Sequence, residues 1–136
     1  MKQAAGLIAM AFLATPALVE AAMPTSFLCT LDGADLLKPA MAPVAICARV
    51  KHGLEAALSV QLHAVAALPK VSSRTLRSLK VDLSIRKPGI VAAIVTQRHQ
   101  RTTKIYPEIS IAVLDRAIDT RDFDRLAREI ARTITA

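Results

Sequence analysis

The sequence predicts an α+β domain: a helix, a three- or four-stranded antiparallel meander sheet, and a C-terminal helix packed on one face of that sheet. Three observations carry this. Apolar residues recur at spacings of three and four after Pro43, they alternate strictly from Leu79 to Ile85, and they form a helical stripe from Phe123 to Ile134.

Residues 1–21 stand apart from the domain. They open with one cation, Lys2, continue in an uncharged run from Ala4 to Ala14, and reach Pro16 and the small-residue pattern Val19-Glu20-Ala21. This is the plan of a cleavable secretory signal peptide, with the cut expected after Ala21. An uncleaved membrane anchor is the alternative, because Ala4 to Val19 falls only a little short of the roughly 20 residues of a spanning helix. Leu28, where a lipoprotein would carry a small residue before Cys29, argues against lipidation. The expected location is therefore outside the cytoplasm, and periplasmic if the cell has two membranes.

Residues 22–42 contain two prolines between Met23 and Pro39 and one glycine, Gly33, without sustained periodicity. They predict an irregular arm with a helical turn near Asp35 to Lys38. Its tether is the pair Cys29 and Cys47, the two cysteines of the chain. In an exported protein two such residues predict one disulfide, since neither the two-residue spacing of a redox motif nor a zinc ligand set is present.

From Pro43, the positions Val44, Cys47, Val50, Leu54, Ala57 and Leu58 predict an amphipathic helix with Pro43 in its first turn. Helical spacing could run on through Leu62, Val65 and Leu68, but "SVQLHAV" alternates as a strand would, so the helix is expected to end at about Leu58 with a strand after it, and Pro69 ends either version. In "TLRSLKVDLSIR", Leu79, Val81, Leu83 and Ile85 share one face of a strand. "KPG" turns the chain into "IVAAIVTQR", which is apolar on both faces and so predicts an interior strand or one that meets a partner. "QRHQRTTK" connects this strand to a third, "EISIAVL". In the last helix, Asp119 or Thr120 is the expected cap, and Asp122 and Asp124 favour the positive end of the dipole. Arg121, Arg125, Arg128 and Arg132 lie opposite the apolar stripe, with Asp124–Arg128 and Arg125–Glu129 as exposed pairs.

The net charge of +7 is concentrated. Residues 70–104 hold nine cations and one acid, Asp82, whereas residues 22–69 are neutral and residues 105–136 carry five arginines against six acids. The anion-binding candidates are Lys80, Arg86, Lys87, Arg98, Arg101 and Lys104. On a hairpin about ten residues long they would coat a face and both tips, roughly 30 Å apart. That suits an extended anionic surface, such as a lipid or lipopolysaccharide layer, or an acidic protein. Nucleic acid is disfavoured, since after processing only Phe27, Tyr106 and Phe123 remain as aromatic platforms. A plain solubilising charge is the competing explanation.

Catalytic chemistry finds no motif. His52, His63 and His99 are scattered, Ser72 and Ser73 lack the glycines of a nucleophile elbow, and of the carboxylates Glu108, Asp115 and Asp119 that could form an acid pair, Asp115 and Asp119 flank a strand-to-helix corner where capping explains them. No catalytic residue, metal or cofactor is expected. The sequence leaves three functional readings: an exported non-enzymatic envelope protein binding an anionic surface through residues 70–104, a homodimerising interaction module using the apolar sheet face, and a small enzyme of unidentified reaction.

Overall fold

A computed structural model describes residues 25–68, 77–87 and 89–136. The expected signal peptide, the cations Lys70 and Arg74, the serines Ser72 and Ser73, and the Pro88 turn position lie outside the described residues. The elements are β1 (Thr25–Asp32), a 3-10 turn (Ala34–Leu36), α1 (Pro43–Leu58), β2 (Leu62–Ala64), β3 (Arg77–Lys87), β4 (Ile90–His99), β5 (Thr102–Ile105), β6 (Ile109–Ala112) and α2 (Thr120–Thr135).

The sheet has six strands in the order β2-β1-β3-β4, with β5 and β6 both along the free side of β4. It is mixed. β1 runs parallel to β2 and β3, whereas β4 is antiparallel to β3, β5 and β6. The expected purely antiparallel meander is thereby corrected, and so is the irregular arm, because the arm contains β1. Phe27, Cys29 and Leu31 alternate there and stand opposite Leu79, Val81 and Leu83 of β3. Phe27 is 2% exposed. Gly33 and Pro39, which suggested irregular chain, fall just beyond the strand. Gly33 has φ +84 and a side chain there would run into the Ile85 carbonyl, so this turn requires glycine.

The outer edge of the sheet is one interrupted strand. β5 pairs with Thr96–His99 and β6 with Ile90–Ala93, and between them the Tyr106 N–H donates to the Val95 carbonyl at 3.0 Å. The connection expected at "QRHQRTTK" shrinks to a tight turn at Gln100 and Arg101. Its flanks extend β4 and open β5, with His99 opposite Thr102.

Both helices cover one face of the sheet. α1 contributes Ile46, Val50 and Leu54, and α2 contributes Phe123, Leu126, Ala127 and Ile130. They bury the odd-numbered residues of β3 and β4, Leu79 to Ile85 and Val91 to Val95. The helices meet at Gly53, where an added Cβ would come within 2.7 Å of the Ala127 Cβ. Cys29 and Cys47 form the expected disulfide, joining β1 to α1 with their Cα atoms 5.8 Å apart. Such a bond persists in oxidising compartments and points to a location outside the cytoplasm. Among the described residues no helix is long and apolar enough to cross a membrane.

The helix ends are fixed by side chains. At the start of α2, the Asp119 carboxylate accepts from the Arg121 N–H and the Asp122 carboxylate accepts from the Asp119 N–H, both at 2.9 Å. Asp122 is buried at 2% exposure, and two guanidinium nitrogens of Arg116 donate to it at 2.7 and 2.8 Å. After α1 the Glu55 carboxylate accepts from the Leu62 N–H at 2.9 Å and so ties the helix to β2. The pairs expected along α2 are rearranged. Asp124 binds Arg49 of α1 at 2.7 and 2.9 Å, and Glu129 pairs with Arg132.

Candidate functional site

The registers divide the predicted anion-binding residues between the two ends of the sheet. Arg86 and Lys87 lie at the end where β3 passes to β4, and there Arg86 is neutralised by both guanidinium nitrogens on Glu108. Lys80 sits mid-strand, 3.7 Å from Asp82. Arg98, Arg101 and Lys104 gather at the other end, as the sequence predicts for the second tip. Arg77 joins them, since it stands opposite His99.

At this basic end Lys104 lies over the Tyr106 ring, 4.8 Å from its centroid. The nearest part of the sheet lines a cavity of about 270 Å³. One wall is apolar: Leu58 at the end of α1, Val60 just after it, and Ile134 near the end of α2, while Leu62 of β2 and Leu79 of β3 add apolar lining from the sheet. The other wall carries Arg77, Gln97, Arg98 and His99. Gln97 is oriented by Tyr106, whose hydroxyl donates to its Oε1 at 2.6 Å. The Gln97 amide therefore offers its N–H groups, and with the guanidinium of Arg77 it makes a wall of donors. No carboxylate lines the cavity among the described residues.

Helix dipoles act against anions here, and magnitudes decide the outcome. Both helices run toward the basic end, since Leu58 and Ile134 line the same cavity. Each C-terminus is worth about half a negative charge. Together they offset about one of the three cations Arg77, Arg101 and Lys104, so the end stays positive.

Several carboxylates elsewhere are committed to structure. Asp122 is held below its ordinary carboxylate value by hydrogen bonding from Arg116, against the opposing effect of burial. Arg121 does the same to Asp119, and Arg49 to Asp124. The Leu62 N–H depresses Glu55 in the same direction. Glu108 is engaged by Arg86 and Asp119 by the helix start, so neither is spare for general acid or base work. His52 lies 3.4 Å from Glu55 on the α1 surface, and His63 is exposed on β2. His99 alone of the three histidines lines the basic cavity. Among the described residues no cluster of three His, Cys, Asp or Glu side chains could hold a metal ion.

Arg77, Gln97 and His99 were not singled out as site residues by sequence reasoning. A signal existed. The odd-numbered alternation of Leu79 and Val95 continues outward to these positions, which places them on the helix-facing side of the sheet.

The opposite sheet face carries the apolar residues expected of β4. Ile94 is 41% exposed and Ile105, opposite Thr96 on β5, is 67% exposed.

No family model matches the chain, and none of the curated proteins matches it. A solved structure, of a protein described as "uncharacterized protein", is similar at a TM-score of 0.49 and 11% identity, covering 82% of this chain and 99% of that one.

Proposed function

We propose that this is a small exported, non-enzymatic protein that engages an anionic surface through the basic end of its sheet. The observation that carries the reading is the partition of charge. At one end Arg86 is matched by Glu108, leaving Lys87, whereas Arg77, Arg101 and Lys104 collect at the other end without an ion-pair partner among the described residues. The disulfide supports an extracytoplasmic setting, and the leader-like residues 1–21 support export, to the periplasm if the cell has two membranes. Lipid head groups and lipopolysaccharide present the extended negative charge that such an end would meet.

Vesicles containing phosphatidylglycerol test this against vesicles of phosphatidylcholine alone. Each cation near an anionic surface contributes about 1 kcal/mol, so Arg101→Ala with Lys104→Ala should weaken binding on the order of 30-fold. Added salt should weaken it as well. Equal binding to both vesicle types, indifferent to salt and to the substitutions, would remove the proposal.

A second reading rests on Ile94 and Ile105, neighbours on the face away from the helices. An apolar pair of this kind supports self-association, the expected dimer being disrupted by Ile94→Lys. Sedimentation of the wild type as a strict monomer at high concentration would exclude it.

A further inference from the structure

We propose that the cavity at the basic end binds one small anionic amphiphile, with a carboxylate or phosphate head on the donor wall and a short apolar tail against Leu58, Val60, Leu62 and Ile134. The inference rests on the same basic end that faces the anionic surface, but it concerns a single ligand inside the fold, and the two can fail separately.

Three features point to this class of ligand. The first is the two-sided chemistry: donors and cations on one wall, aliphatic carbon on the other, and no carboxylate among the described lining residues. An inorganic anion would leave the aliphatic wall against water. An uncharged hydrocarbon would strip water from Arg77 and Gln97 without giving them an acceptor, which costs about 1–3 kcal/mol for each group left unpaired. A molecule with both parts satisfies both walls.

The second feature is preorganisation. Gln97 is held by the hydrogen bond that its Oε1 accepts from the Tyr106 hydroxyl at 2.6 Å, which leaves its N–H groups to the cavity. The wall therefore presents donors before any ligand arrives, and the ordering cost of binding is reduced. The third is size. The cavity, about 270 Å³, lies just under the range of about 300–1,000 Å³ common for small-molecule sites, so the ligand is a short chain rather than a whole membrane lipid.

The test is titration of the full processed chain with octanoate, octanol and acetate. Tyr106 is the one tyrosine and the sequence has no tryptophan, so tyrosine emission reports on the cavity wall through the hydrogen bond to Gln97. Octanoate should saturate at one molecule per chain, and octanol and acetate should each bind at least tenfold more weakly. Arg77→Ala should weaken octanoate at least tenfold.

Val60→Trp, at a half-exposed position, fills the cavity from its rim. It should abolish octanoate binding, followed by calorimetry in this variant, while leaving binding to anionic vesicles unchanged. That last comparison separates the cavity from the surface: wild-type protein that binds octanoate but not anionic vesicles overturns only the proposed surface function, and wild-type protein that binds the vesicles but not octanoate overturns only the cavity. His99→Glu, at an exposed position, repels the octanoate head should the tryptophan variant fold poorly; it is read on octanoate binding alone, because it also lowers the positive charge of the basic end. Octanoate binding that does not saturate, that octanol matches, or that survives both Val60→Trp and His99→Glu would overturn the inference.

Discussion

Reduction of the Cys29–Cys47 bond is the perturbation whose effect follows most directly from the structure. The bond closes a loop with a sequence separation of 18 residues. The chain-entropy relation gives about 3 kcal/mol for a loop of this length, lost when the unfolded chain is released. Reduction leaves both sulfur atoms in place, so packing around them is little changed. At a urea slope of about 1.5 kcal/mol/M, the unfolding midpoint should fall by roughly 2 M in the presence of reductant. Cys29→Ala with Cys47→Ala should fall somewhat further, because two half-buried sulfur atoms that pack against the core are also removed. A small domain has about 5–15 kcal/mol in total, so the bond supplies a large share. A shift below roughly 0.5 M would refute the reasoning, since it would mean that the unfolded chain is already restricted over this loop.

Other expectations follow from the helix layer. Gly53→Ala places a methyl group 2.7 Å from the Ala127 Cβ and should destabilise by about 1–2 kcal/mol despite the better helix propensity of alanine. Adding Ala127→Gly should recover part of the loss in thermal denaturation, and no recovery would count against a contact at the crossing. The four depressed carboxylates, Glu55, Asp119, Asp122 and Asp124, predict acid sensitivity. A carboxylate whose folded value is lowered contributes fully above its unfolded value, about 4, and loses that contribution as pH falls toward the folded value. The urea midpoint should therefore decline below about pH 4, and Asp122→Asn should flatten the decline. A midpoint constant from about pH 5 to about pH 3 would contradict this.

The sequence made the two helices and the β3–β4 hairpin legible because each helical stripe extends over more than ten residues and the β3 alternation is strict over seven. Phe123 to Ile134 has one helical solution, and Leu79 to Ile85 has one strand solution. β1 was harder to see, since its alternation spans only Phe27, Cys29 and Leu31 and prolines stand on either side. The parallel pairing of β1 with β3 was not legible at all, because nothing local specifies which strand lies beside which. The anion-binding set was legible by composition alone. Composition could not show that Glu108, 22 residues away from Arg86, would neutralise it, nor that Asp124 would turn from Arg128 to Arg49 on the other helix.

The cavity itself arises from a mismatch of lengths. β3 has 11 residues and spans about 36 Å, whereas each helix has 16 residues and spans about 24 Å. The strands therefore outrun the helices by about 10 Å, and helix-facing positions in the overhang have no helix to bury them. Arg77 and His99 can be polar there without a desolvation penalty, although Leu79 and Val95, one step further in on the same face, must be apolar. It follows that the overhang is spared from the demands of the core and is open to function. Arg77→Leu should change stability by no more than about 0.5 kcal/mol, as at an ordinary surface site, while it removes anion selectivity at the cavity. A loss of stability like that of a core substitution would show instead that Arg77 serves the fold.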